Sequence, residues 1–236
     1  MPSFLIDMPA IAAAVILASS PAAPCPSAAP QVDVQVRVVH NETPISMEKT
    51  ARELSAEFTH DADTTVSTDG HWMIGGTTRS DIGGSYSVQY QQRVDEQAGT
   101  TCIAPDKFEY EIVYTSTIYM AKDFGQSGCR YTATLAHQKR HVDTDLRVLD
   151  KHIPNIRAAL EKAVSDIGMR GPFAEDQLQG ASEQIAEELA LAADPAMQAL
   201  REERRKRQAE IDTYDDYVRD TAACPGQFPK YDGDKN

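Results

Sequence analysis

Residues 108–142 read FEYEIVYTSTIYMAKDFGQSGCRYTATLAHQKRHV, and the character of the chain turns over inside this stretch. Up to Met120 it is built from Phe, Tyr, Ile, Val and Thr, the aromatic and β-branched types that suit a pleated, half-buried surface. From residue 131 almost everything to residue 223 is helix-forming, with breaks expected at Pro154, at residues 168–172 and at Pro195. Strands first and helices second predict an α+β domain.

Working outward, residues 32–39 alternate Val with Asp, Gln and Arg, the period-two pattern of a half-buried strand. Pro44 and Ser46 open an expected helical stretch, with Met47, Leu54 and Phe58 roughly on one face. Residues 71–74, 85–94 and 108–120 read as strands, with Gly75-Gly76, Gly83-Gly84 and Gly99 as turn signals between them. The expected architecture is an N-terminal antiparallel sheet with one helix, then a long helix, then a C-terminal helical region.

The chain has 236 residues and a formal charge of -13, from 23 basic and 36 acidic side chains. That balance argues against nucleic acid, which needs a basic face for its phosphates. The apolar run at residues 8–18 is about half of the roughly 20 residues a membrane-spanning helix requires. It reads instead as the core of a signal peptide over residues 1–22, followed by a Pro/Ala-rich linker at 23–30, a folded domain at 31–229 and a disordered tail at 230–236. Four cysteines with no C-x-x-C pair predict two disulfides and a periplasmic or secreted location. Of the three connectivities, the expected one joins Cys102 to Cys129, which flank a strand pattern, and Cys25 to Cys224 near the chain ends. The basic run at residues 201–207 reads as a solvated helix face.

One constellation carries chemistry. His137 and His141 lie four apart in a helical segment, so both imidazoles project from one face and can reach one zinc at about 2.1 Å. The spacing is that of H-E-x-x-H, with Gln138 at the position of the Glu. His40, His60, His71 and His152 are isolated, and the chain has no G-x-S-x-G elbow, no G-x-x-x-x-G-K-[ST] loop and no G-x-G-x-x-G fingerprint.

These residues resemble a bacterial family of secreted zinc-dependent proteases known mainly as a domain of unknown function. Leu135-Ala136-His137-Gln138-x-x-His141-Val142 is similar to its L-x-H-E-x-x-H-V, and Gln208-Ala209-Glu210-Ile211-Asp212 is similar to its Q-A-x-Y-D. The resemblance implies a zincin-like fold, a zinc cofactor and a third ligand about five residues after the Asp. Tyr217 falls at that place, with Asp216 beside it, and Asp145 lies two turns after His137 on nearly the same face. Asp216, Tyr217 and Asp145 are therefore the candidate third ligands, although Asp143, Asp145 and Asp150 also read as surface carboxylates.

A metallopeptidase needs a carboxylate at Gln138 to take a proton from zinc-bound water and deliver it to the leaving amine, and an amide accepts no proton. The expectation is therefore an exported, catalytically impaired metallopeptidase-like protein that binds peptide or envelope material. Two alternatives stand beside it. One is an active zinc peptidase with Glu187, Glu188 or Asp216 as base; the other is a purely structural, disulfide-linked module.

Overall fold

A computed structural model describes residues 24–26, 31–58 and 74–228. The expected signal peptide and tail, His60, His71 and most of the expected strand at 71–74 lie outside these residues. The elements in chain order are β1 (Asp33–His40), β2 (Ile45–Ser46), α1 (Ala51–Phe58), β3 (Gly76–Asp95), β4 (Thr100–Met120), α2 (Cys129–Ile167), β5 (Arg170–Phe173), α3 (Leu178–Leu191), α4 (Asp194–Ala209) and α5 (Tyr214–Ala222). The class is α+β, as the strand-to-helix switch predicts. No described helix is long and apolar enough to cross a membrane.

The strand β4 is the axis of the sheet. On one side β3 pairs with it over its whole length as an antiparallel hairpin closed by a turn at Gly99, whose φ of 63° suits a residue without a Cβ. On the other side β5, β1 and β2 meet it end to end. Here the expected antiparallel sheet needs correction, because β1 and β2 both run parallel to β4. The cause is the connection: α1 and β3 intervene, so the chain reverses in the β3–β4 hairpin and returns along β4 in the direction of β1.

Three local expectations are also corrected. Ile45–Ser46 pairs with Ile118 and Tyr119 as a strand, and the helix opens only at Ala51. Gly76 and Gly83-Gly84 make no turn but lie inside the 20-residue β3. Pro154 does not break α2, which runs unbroken over 39 residues to Gly168. Proline removes one helical N–H, and Pro154 stands on an exposed part of the helix where water can reach the carbonyl it leaves unpaired.

Alternation along β4 sends Phe108, Tyr110, Ile112, Tyr114, Ile118 and Met120 to one buried face, while Lys107, Glu109 and Glu111 lie on the other. The helix α2 lays Val148, Leu149, Ile156 and Leu160 on that apolar face, and Ile185 and Leu189 of α3 with Met197 and Leu200 of α4 complete the core. At roughly 1.5–3 kcal/mol per fully buried large apolar side chain, this cluster dominates the stability of the domain.

The disulfides join Cys25 to Cys102 and Cys129 to Cys224, which overturns the expected pairing of Cys102 with Cys129 and of Cys25 with Cys224. Cys102 stands at the start of β4, and from there to Met120 the strand rises roughly 60 Å. The short connection on to Cys129 reaches back at most about 30 Å, so those two sulfurs cannot meet.

Candidate metal centre

The first turns of α2 present His137 and His141 to the segment that links α4 to α5. Their rings stand edge to face with centroids 4.8 Å apart, and their Nε2 atoms are 2.9 Å apart. Asp212, in the turn between α4 and α5, places Oδ1 3.1 Å from His137 Nε2 and 3.0 Å from His141 Nε2. Three ligand-type atoms thus form a nearly equilateral triangle. Ligands of a tetrahedral zinc at 2.0–2.1 Å stand about 3.3 Å apart, so the triangle is slightly tighter than the one a metal would hold; three protein ligands on a tetrahedral ion leave its fourth position to water or substrate.

Outer partners orient the rings. His137 Nδ1 lies 2.9 Å from Asp220 Oδ2 on α5, and the Arg140 guanidinium sits beside both, 2.7 Å from Asp220 Oδ2 and 2.9 Å from His137 Nδ1. His141 Nδ1 bonds Gln208 Oε1 on α4. Histidine ligands usually engage their second nitrogen in this way, which fixes the ring and raises its basicity.

The electrostatics favour positive charge at the centre of the triangle. Burial opposes ionisation of Asp212, yet hydrogen bonds and charge from the two imidazoles outweigh it and hold the carboxyl well below the usual range. Burial likewise opposes a charged His141, but the hydrogen bond and charge of Asp212, with help from Gln208 and Asp145, raise its pKa. A proton or a metal cation satisfies the same arrangement.

Of the residues expected from sequence, His137 and His141 come together, and Gln138, Asp145 and Asp216 do not join them. Gln138 is buried and faces β3, where Nε2 donates to the Gly76 carbonyl at 3.0 Å and Oε1 accepts from Thr78 Oγ1 at 3.0 Å. Asp145 is not a surface carboxylate, being 0% exposed, nor is it in the triangle. It pairs with Arg204 Nε at 2.7 Å and accepts from Gln208 Nε2 and Ser80 Oγ, each at 2.5 Å. Arg204 thereby departs from the solvated face expected of the basic run.

Asp216 bonds Thr213 at the start of α5 and pairs with Arg219, and these contacts lower its pKa. Tyr217 lies on α5, its side chain outside the described set. Glu188 forms a forked ion pair with Arg170, and Glu187 is exposed on α3. Asp212, Asp220, Arg140 and the role of Gln208 escape the sequence reading. The Q-A-x-x-D segment does supply a member of the triangle, but it is the Asp of the segment itself.

No protein-family model, no curated protein and no solved structure matches the chain.

Proposed function

We propose that this is an exported zinc-binding protein of metallopeptidase-like, zincin-like architecture with little or no peptidase activity, which uses its metal centre to bind peptide or envelope material. The observation that carries the reading is the convergence of His137 Nε2, His141 Nε2 and Asp212 Oδ1 to within about 3 Å of one another while both Nδ1 atoms are engaged elsewhere. Two imidazoles, a carboxylate and an open fourth position are the donor set of a catalytic rather than a structural zinc. The same set also suits ferrous iron, so both metals belong in the test.

A zinc there would supply a Lewis acid that lowers the pKa of a bound water. The chain's own residues hold that position but lack a proton carrier at the usual place, because the Gln138 amide is bonded to β3. A general base is worth roughly 10²- to 10⁴-fold, which supports binding with at most slow hydrolysis. A shallow cavity of about 390 Å³ between α2 and α4, lined mainly by charged side chains such as Arg147, Lys151, Glu203 and Arg207, does not include His137, His141 or Asp212, so peptide binding rests on the open metal position itself. The two disulfides fit an oxidising compartment.

The test is titration of the metal-free protein with Zn²⁺ and Fe²⁺ by calorimetry, alongside hydrolysis of an unfolded protein by the zinc-loaded form. One zinc per chain is expected, with affinity lowered more than about 100-fold by His137→Ala or Asp212→Asn, a larger loss than outer-partner changes cause. Absence of zinc binding would return the protein to a purely structural, disulfide-linked role. Brisk cleavage abolished by chelator would overturn the impaired-enzyme part.

A further inference from the structure

An amide side chain has one donating end and one accepting end, and at Gln208 the surroundings decide which is which. Its Nε2 end lies 2.5 Å from Asp145 Oδ1 and 3.0 Å from the His141 carbonyl. Both are acceptors, so a turned-over amide would set oxygen against two oxygens and forfeit both bonds. The Oε1 end therefore faces His141 Nδ1 as an acceptor, and Nδ1 must carry the hydrogen. A neutral imidazole with its proton on Nδ1 has a bare lone pair on Nε2, the atom that points into the triangle.

What holds Gln208 in this sense is a network centred on the buried Asp145 and drawn from four elements. Asp145 on α2 accepts from Arg204 Nε of α4, from Ser80 Oγ of β3 and from Tyr114 OH of β4 at 3.3 Å. Arg204 also donates to the Ser80 hydroxyl at 2.6 Å and to its carbonyl at 3.2 Å. We infer that Gln208, oriented by the buried Asp145 and its half-buried partner Arg204, is a positioning residue that keeps His141 in the Nδ1–H tautomer and so presents Nε2 to the metal. His137 has no such arrangement, because Arg140 and Asp220 both approach its Nδ1. This inference rests on the metal-binding reading above, but its first readout needs no metal.

The experiment is long-range proton–nitrogen NMR of metal-free protein carrying ¹⁵N-labelled histidine, combined with zinc titration of the wild type, Gln208→Leu and Gln208→Glu. The wild type is expected to carry the His141 proton on Nδ1. Gln208→Leu should lose that preference and bind zinc about 10- to 100-fold more weakly, the usual range for removing an outer partner of a ligand. Gln208→Glu keeps an acceptor against Nδ1 and should recover the tautomer and most of the affinity, although its contact with Asp145 lowers the melting temperature. A His141 Nδ1 that carries no proton in the metal-free wild type, or zinc binding by Gln208→Leu as tight as wild type, would overturn the inference. A wild type that carries the Nδ1 proton yet binds no zinc would sink the metal reading while supporting the tautomer assignment.

Discussion

Gln138 illustrates how a residue can occupy a catalytic position in the sequence and a structural one in space. Its amide donates to the Gly76 carbonyl and accepts from Thr78, a pairing that a carboxylate cannot reproduce because it has no donor. Gln138→Glu is therefore expected to destabilise the protein by about 1–3 kcal/mol at pH 7, the range for stranding a buried polar group, and not to raise hydrolysis. The loss should shrink at pH 4, where a protonated carboxyl can donate to Gly76; denaturant unfolding at the two pH values checks both size and sign. A second residue-scale expectation concerns Glu203, whose pKa is held down to about 2 by hydrogen bonds from Lys151 and then His152. A depressed carboxylate stabilises the fold above its unfolded value of about 4.5 and loses that contribution as the pH falls toward 2. Wild type should accordingly exceed Glu203→Gln in stability at pH 6, and the gap should close between about pH 4.5 and 2 in thermal unfolding.

At the scale of elements, the approach of α2 to β3 depends on Gly76. A Cβ there would stand 2.8 Å from the Thr134 methyl on α2 and 3.1 Å from both the Tyr119 carbonyl and the Met120 sulfur. Backbone and buried side chains surround it, so Gly76→Ala should cost about 1–3 kcal/mol by overpacking and weaken the Gln138 contact; chemical denaturation measures the first. In the sequence Gly75-Gly76 reads as a turn, because glycine marks turns and close approaches alike. Pro154 misleads for a parallel reason: its cost depends on whether water reaches the carbonyl it strands, and exposure along a helix is a tertiary property. Strand alternation and the His137–His141 spacing, by contrast, depend only on backbone periodicity, and β1, β4 and α2 follow them.

At the scale of the molecule, the two disulfides divide the work. Cys129 begins α2, two helical turns before His137, and Cys224 follows α5, one turn after Asp220, so that bridge ties the segment bearing Asp212 and Asp220 to the helix bearing both histidines. The paired change Cys129→Ser and Cys224→Ser should weaken zinc binding as well as stability. The pair Cys25→Ser and Cys102→Ser, at the far end of β4, should lower stability by about 2–4 kcal/mol and leave zinc affinity nearly unchanged; calorimetric titration beside thermal unfolding separates the two. The presence of two disulfides, the α+β class and the histidine pair were legible in the chain alone, because cysteine number, side-chain alternation and a four-residue spacing are properties of composition and local geometry. The parallel pairing of β1, the sulfur partners and the third member of the triangle were not. Each is a meeting of residues distant in sequence, and Asp212 lies in a turn with no period to mark it, so only the packing of α4 and α5 against α2 decides that it, rather than Asp216 or Asp145, stands against the imidazoles.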